Sequence, residues 1–550
     1  MLASSLSDDL LGRAILHVIE LLKRTSLKPE MIRSNIQMIG AFSRVVGYRF
    51  GLHLAEAVPI LISYCENASE NDDELRENSL QALESFVLRC AREVTFYCET
   101  ILDLCLKYLS YDPNFTDDMD DEEDEEMTAD EDEDEDSGDE YSDDENVSWK
   151  VRRASVKCLS AIIMSRPEMM TTLYVKACPK LIERFREREE NVKIDIFNAF
   201  NDLLRQTGNV TKGSDSSSPL RMLELEVPKL VKSLNKQLRE KAVKTKVGAF
   251  SVLKELVTVL PNCLSGHMAS LIPGIEKALN DKSSNSNLKI EALVFTRLVM
   301  TSHSPSVFHP HVKALLEPVL FAVNERYYKV TAEALRVCGE LVKVVRPPGS
   351  LASSFDFKPY VQPIYGSILK RLTAQDQDQE VKECAIYCMG LVIAILGDHL
   401  KRELGTCLPV LLERLRNEIT RLTAVKAFAT IAESPLKIDL SCVLDQVIIE
   451  LTTFLRKANR PLRQASLHTL NALLVAYSEK ISKSSLESIV TELSSLIRLL
   501  WFRLLWLDDY ENYYGCLPYP VLSRPSSTDT LLTPMSSASS VLMISGCSIS

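Results

Sequence analysis

Ser148-Trp149-Lys150-Val151-Arg152-Arg153-Ala154-Ser155-Val156-Lys157-Cys158-Leu159-Ser160-Ala161-Ile162 sets Val151, Ala154, Leu159 and Ile162 in one line. Offsets of +3, +8 and +11 share a face at 3.6 residues per turn, whereas a strand would scatter them over both sides. The same pattern recurs at Leu75/Asn78/Leu83/Phe86, Val192/Asp195/Phe200/Leu203, Val381/Cys384/Met389/Val392 and Leu462/Ala465/Leu470/Leu473. Weaker copies begin near Met31, Thr245, Leu288, Val330 and Leu422, so about ten units are visible. Their starts lie about 40 to 53 residues apart, except for one gap of about 76 that holds an acidic insertion.

A second helix reads just upstream of each copy, usually with a proline near its start or in its first turns: Pro59, Pro179, Pro228, Pro273 and Pro409. Proline is tolerated where the first-turn amides have no internal partner and kinks a helix deeper in. Short polar turns, such as Asn71-Asp72-Asp73 and Arg188-Glu189-Glu190-Asn191, separate the two helices. Period-two alternation is never sustained. The period is that of HEAT or armadillo repeats and predicts an all-α solenoid superhelix. Leu159 and Ile162 are expected to be buried, with Asp72 and Asn191 at turns.

At 550 residues, 46% apolar and 25% charged, the chain is too long for one compact core and natural for a stacked array. No continuous apolar run of about 18 residues occurs, since Arg498 and Arg503 interrupt the strongest late stretch, so no membrane partner is expected. No charged region followed by an apolar core opens the chain, which makes cytoplasm or nucleus the expected location.

Chemistry-bearing motifs are sparse. The 14 cysteines fall mostly at apolar helical positions, among them Cys158, Cys338, Cys384 and Cys388, without the paired spacing of a zinc site. His309-Pro310-His311 has no nearby cysteine or carboxylate cluster, and residues 208–214 (GNVTKGS) do not match the order of a phosphate loop. With no set of nucleophile, base and orienting group, neither enzyme activity, nor a cofactor, nor a small-molecule substrate is expected.

Charge is distributed unevenly. Residues 117–145 hold 21 Asp and Glu among 29 residues and no Lys or Arg. Such a block repels itself and buries no apolar area, which predicts a disordered, solvated insertion. With 21 negative charges there against a formal net charge of −13, the remainder is net +8. Lys229, Lys232, Lys236, Arg239, Lys241, Lys244 and Lys246 concentrate the basic charge and form a candidate partner-binding edge, with a solvated helix face as the plain alternative. Without interleaved aromatic residues the run does not point to nucleic acid. Ser137 and Ser142 stand in acidic contexts suited to an acidophilic kinase.

Tyr-Asp-Pro-Asn-Phe at 111–115, the acidic insertion, Trp-Lys-Val-Arg-Arg-Ala at 149–154, Arg-Glu-Glu-Asn-Val-Lys at 188–193, Leu-Leu-Arg-Gln-Thr-Gly at 203–208 and Gln-Leu-Arg-Glu-Lys at 237–241 closely resemble the cullin-associated and neddylation-dissociated proteins. Matching segments continue from Ser286, Tyr327 and Asn417, in family order, over about residues 1–497. The resemblance implies a non-enzymatic scaffold that clasps a cullin and its RING-box subunit when the cullin lacks its ubiquitin-like modifier. Such a scaffold drives exchange of substrate receptors among cullin–RING ubiquitin ligases, SCF complexes included.

Family members are about twice this length, which places Met1 inside the array and leaves the family's C-terminal third beyond the match. The expected layout is repeats over 1–116, the acidic insertion over 117–145, repeats over 146–497, and an atypical, poorly ordered Ser/Thr/Pro-rich tail over 498–550. A partial form with reduced exchange activity is the corresponding functional expectation. The chief alternative is an importin-β-type transport receptor or another HEAT scaffold.

Overall fold

The computed structural model describes residues 7–24, 27–111, 147–211, 219–281, 285–347, 355–375, 378–495 and 497–498. Chain contacts separate two compact units, residues 1–485 and 486–550. In the second, the described residues 486–495 and 497–498 are helical. In the first, the described residues form α-helices and short 3-10 turns without a strand. The helices are α1 (Asp8–Leu22), α2 (Pro29–Val46), α3 (Leu54–Glu66), α4 (Asp73–Arg89), α5 (Cys98–Leu109), α6 (Ser148–Ser165), α7 (Met170–Glu183), α8 (Glu190–Thr211), α9 (Pro219–Arg239), α10 (Val243–Val259), α11 (Met268–Asn280), α12 (Ser286–Ser302), α13 (Val312–Val323), α14 (Tyr328–Val345), α15 (Lys358–Thr373), α16 (Gln379–Leu396), α17 (Leu404–Arg416), α18 (Arg421–Ala432), α19 (Leu444–Phe454) and α20 (Arg460–Tyr477).

Each odd-numbered helix pairs with the even-numbered one after it, giving ten repeats, and the pairs stack into two layers. Every pattern start read from the sequence, from Met31 to Leu462, falls on a different even helix. Val151, Leu159 and Ile162 are fully enclosed, as are Phe200, Leu203, Met389 and Val392 at equivalent positions. Successive even helices pack directly on one another along the array, more extensively than successive odd helices do. The all-α HEAT-type solenoid is therefore the observed fold.

Prolines sit inside α3, α7, α9, α11, α13, α15 and α17, in the odd layer. Pro29 and Pro461 of the even layer occupy only first-turn positions, where no hydrogen bond is lost. The polar turns supply the caps of the even helices. Asp72 accepts from the Leu75 amide at 3.2 Å, Asp378 from Glu380 at 2.9 Å and Asn459 from Leu462 at 3.0 Å. Asn191, expected in a turn, instead lies in the first turn of α8, because Glu189 accepts from its amide and the helix is already under way.

Residues Pro29–Glu66 are long and apolar enough, by length and composition alone, to cross a membrane. A scan for unbroken apolar runs misses this stretch. It is not one helix: Gly47, at φ 60°, ends α2, and a 3-10 turn over Gly47–His53 leads into α3. Both halves pack on the helices of neighbouring repeats.

Candidate interaction surfaces

The even layer begins with apolar residues that each helix must bury, and the residue directly after the first of them is repeatedly a cation. Arg76, Arg152, Lys193, Lys246 and Lys289 occupy this place and are all between 5 and 9% exposed. The heads of Arg76 and Arg152 turn into the loop that joins the two helices of their own repeat. Arg76 donates to the Ala68 carbonyl at 2.9 Å and to Asp73 at 3.1 Å. Lys289 reaches Glu325 of the next repeat at 2.6 Å. Arg152 forms a two-pronged pair with Glu187 of the next repeat, both bonds 3.1 Å. Burial pushes the Glu187 carboxyl up, but Arg152 and Arg184 outweigh it and hold it below the usual carboxylate range.

Arg152 also closes the root of the acidic insertion. It donates to the Tyr111 carbonyl at 3.1 Å on the entering side and to Ser148 Oγ at 3.0 Å on the leaving side. Tyr111 is fixed further, its hydroxyl donating to Asp73 at 2.9 Å and its ring lying 5.1 Å from the Arg76 guanidinium. Residues 117–145, including Ser137 and Ser142, lie outside the described residues, as do 212–214 of the loop once compared with a phosphate loop.

Next to this root, α2, α4 and α6 line a groove of about 430 Å³ with Arg44, Glu77, Glu84, Trp149, Lys150, Arg153 and Lys157. Burial holds Glu84 above the ordinary carboxylate range against the pull of Lys157 and Arg44. Glu77 is raised for the same reason, with Lys150 opposing. Arg153 is tied to Asp195 of α8 at 2.8 Å, one rung of a polar ladder between successive even helices. Other rungs join Gln37 to Asn78 at 3.2 Å, Ser160 to Asp202 at 2.7 Å and Asn201 to Ser251 at 3.1 Å. Charged and hydrogen-bonding side chains therefore alternate along this face. Sequence reasoning missed both the groove and the buried cations, although the recurrence of Arg or Lys one place after the pattern start was there to be read.

The seven basic residues singled out from the sequence divide. Lys229, Lys232, Lys236 and Arg239 project from the solvent side of α9, and Lys241 and Lys244 are exposed on the turn into α10. Lys229 stands 3.8 Å from Glu226, and Lys244 is paired with Glu190 at 2.8 Å. Lys246 does not belong to the edge. It is the buried cation of its repeat, at the position after Thr245 that matches Arg152 after Val151.

Thiols and imidazoles take structural places. Burial raises Cys65 and Cys338 to about 12 and Cys384 to about 11, so they stay protonated at neutral pH and pack as small apolar groups. His309 stacks on Phe355 at 4.3 Å and hydrogen-bonds the Val344 carbonyl at 3.0 Å. Among the described residues no three His, Cys, Asp or Glu side chains come together as a metal site.

A sequence profile described as "CAND1-like, TPR repeats" matches residues 262–389. An Arabidopsis thaliana protein named cullin-associated NEDD8-dissociated protein 1 is 66% identical over 499 residues, 90% of this chain and 41% of that protein. Its Drosophila melanogaster namesake is 43% identical, over 85% of this chain and 38% of that protein. A Mus musculus cullin-associated NEDD8-dissociated protein 2 is 42% identical, over 90% and 41%. Among solved structures, Kap95p with RanGDP matches at a TM-score of 0.60 and 14% identity, over 88% of this chain and 53% of that one. Importin beta in ammonium sulfate matches at 0.55 and 11%, over 89% and 58%. At those identities the likeness is one of fold alone. The chain spans about two fifths of the length of the curated relatives it matches, and by identity sustained over nine tenths of its own length it belongs to the cullin-associated NEDD8-dissociated protein family.

Proposed function

We propose that this chain is a non-enzymatic scaffold that binds a cullin lacking its ubiquitin-like modifier, together with the RING-box subunit, and takes part in substrate-receptor exchange on cullin–RING ligases. The observation that carries the reading is the 66% identity, over 499 residues, to a protein named for its association with cullins. The architecture is suited to it. A stack of repeats offers a long surface, so affinity accumulates over area and charge complementarity. The groove supplies Trp149 and Arg153, residue types enriched at interfaces, with Glu84 beside them. Its place of action is cytoplasm, nucleus or both.

The test is direct binding of the purified 550-residue chain to a cullin–RING-box complex, with and without NEDD8 attached, followed by release of a pre-bound substrate-receptor adaptor. The expected outcome is binding to the unmodified complex, at least tenfold weaker binding to the modified one, and loss of the preference in a W149A/R153E variant. Equal binding to both complexes would sink the reading. So would capture of the Ran GTPase in place of the cullin.

A further inference from the structure

The packing of α8 on α10 differs from that of the two even pairs after it. Counted from the pattern starts Val192, Thr245 and Leu288, the position nine residues on holds Asn201, Lys254 and Arg297. Facing them on the next even helix, three residues after its own start, stand Gly248, Glu291 and Glu333. Lys254 is paired with Glu291 and Arg297 with Glu333, so ion pairs bridge α10 to α12 and α12 to α14. Between α8 and α10 the same two places hold a neutral amide and a glycine, and there is no bridge.

A groove of about 320 Å³ lies there instead. Ile194, Val243 and Val247 are its half-exposed apolar walls. Its floor is Phe197, whose ring is held 5.0 Å from that of Phe185 and lies so close to Gly248 that a Cβ on the glycine would overlap it. Asn201 lines the same groove and is 3% exposed. Its Nδ2 donates to Ser251 Oγ of α10 at 3.1 Å, while its Oδ1 accepts from no group among the described residues. A buried acceptor left unpaired is costly, so the groove presents a place for a donor. Lys244, the one ionisable residue of the lining, is already paired with Glu190 at 2.8 Å.

We propose that this groove binds an extended, uncharged segment of a partner protein, which lays an aliphatic side chain on Ile194, Val243 and Val247 and donates a backbone N–H to Asn201 Oδ1. Charge selects the occupant. A cation would be enclosed without a carboxylate, because Gly248 stands where Glu291 and Glu333 serve the following pairs. An anion would face the lone pairs of Oδ1. A purely apolar group would leave Oδ1 unpaired. A main-chain amide beside an aliphatic side chain meets both demands and carries no charge. The site rests neither on the groove at Trp149 nor on the cullin reading, and its test involves no cullin.

The probe is the capped tripeptide acetyl-Gly-Leu-Gly-amide, added to the intact chain and followed by saturation-transfer NMR. Binding is expected at about millimolar affinity, with the leucine methyls receiving most of the saturation. N-methylation of one of the peptide's backbone amides should weaken it about fivefold, the size of one neutral hydrogen bond. Lysine or glutamate in place of the leucine should weaken it about tenfold. In Asn201→Ala the parent and the N-methylated peptides should bind alike, because the two changes remove the same bond. No binding at millimolar peptide would make Asn201 a hydration site only and overturn the proposal. So would equal binding of the charged peptides, or a methylation effect that survives in Asn201→Ala. Should that variant fail to fold, a photoleucine form of the peptide decides on the unaltered chain. Its cross-links are expected on α8 and α10 around Ile194 and Val247, and labelling spread evenly over other helices would overturn the site.

Discussion

The two helix layers are built to different rules. In the even layer α14 buries thirteen of its eighteen residues, whereas α15 of the odd layer buries five of its sixteen. Even helices approach closely enough that a Cβ on Gly390 would meet the Ala427 Cα at 3.1 Å and its Cβ at 2.9 Å. They are joined by the polar ladder and by cations turned under the loops. Odd helices carry interior prolines, nearly all on the solvent side, where a carbonyl freed by the missing amide is hydrated. Exposed large apolar groups do not separate the layers, since Leu225 at 76% lies in the odd layer and Val475 at 78% in the even one. The even layer therefore holds the stack together, and the odd layer mainly covers it.

The largest effect should come at Arg152. Changing it to Met leaves Glu187 enclosed with Arg184 alone, and breaking a buried pair by removing one partner costs about 3–5 kcal/mol. Leu159→Ala, in the same helix, should cost about 2–5 kcal/mol as a cavity at a fully buried site. Because a repeat array need not unfold in one step, native-state hydrogen exchange of the α6 amides is the proper measurement. If Leu315→Ala in α13, also buried, loosened α6 as much, the layers would not differ as claimed.

Acid should sharpen the same point. Glu187 is held low in the folded state, below its ordinary value of 4.5. Its contribution is therefore present above that ordinary value and is lost as pH falls through the lower folded one. Protection of α6 should decline below about pH 4.5 in the wild type, and in Arg152→Met that local pH dependence should shrink. Equal slopes in the two proteins would remove Glu187 from the account.

A smaller loss is expected at the helix crossing. Gly390→Val forces α16 off α18 because the obstacle is backbone, and overpacking of this kind costs about 1–3 kcal/mol. Pro409→Ala, on the exposed side of α17, should stay within about 1 kcal/mol of the wild type: it restores a helical amide while freeing the unfolded chain. Thermal melting of the two variants side by side checks the order. A Pro409 variant as damaging as the Gly390 one would break the comparison.

Much of this was legible in the sequence, and unequally so for the two layers. Val151, Leu159 and Ile162 announce a buried stripe because the even helices are enclosed on several sides and so constrained at many positions. The prolines marked the odd helices for the opposite reason, since a helix with one side in water admits them most readily, and all but Pro318 lie on that side. The buried cations were not recognised because an arginine in a sequence reads as surface until the turn it lies under is known. The groove was invisible for another reason. Glu84 and Trp149 come from different repeats, 65 residues apart in the chain, and no periodicity within one repeat brings them together.

The smallest expected change separates two lysines that the sequence makes look alike. Lys236 stands in water on α9, so Lys236→Glu should alter stability by no more than about 0.5 kcal/mol. Lys246, ten residues on, is 7% exposed in the first turn of α10. A carboxylate placed there is buried where its neighbours along the array hold a cation, so Lys246→Glu should cost about 2 kcal/mol or more. Binding of an acidic probe should respond to the exposed site, because a charge in water acts on a partner and a buried one acts on the fold. Lys236→Glu should therefore weaken the probe in a salt-dependent way with melting unchanged. Lys246→Glu should lower the melting temperature. If both variants melted together with the wild type, the buried cations would be passengers of the turn and not its fasteners.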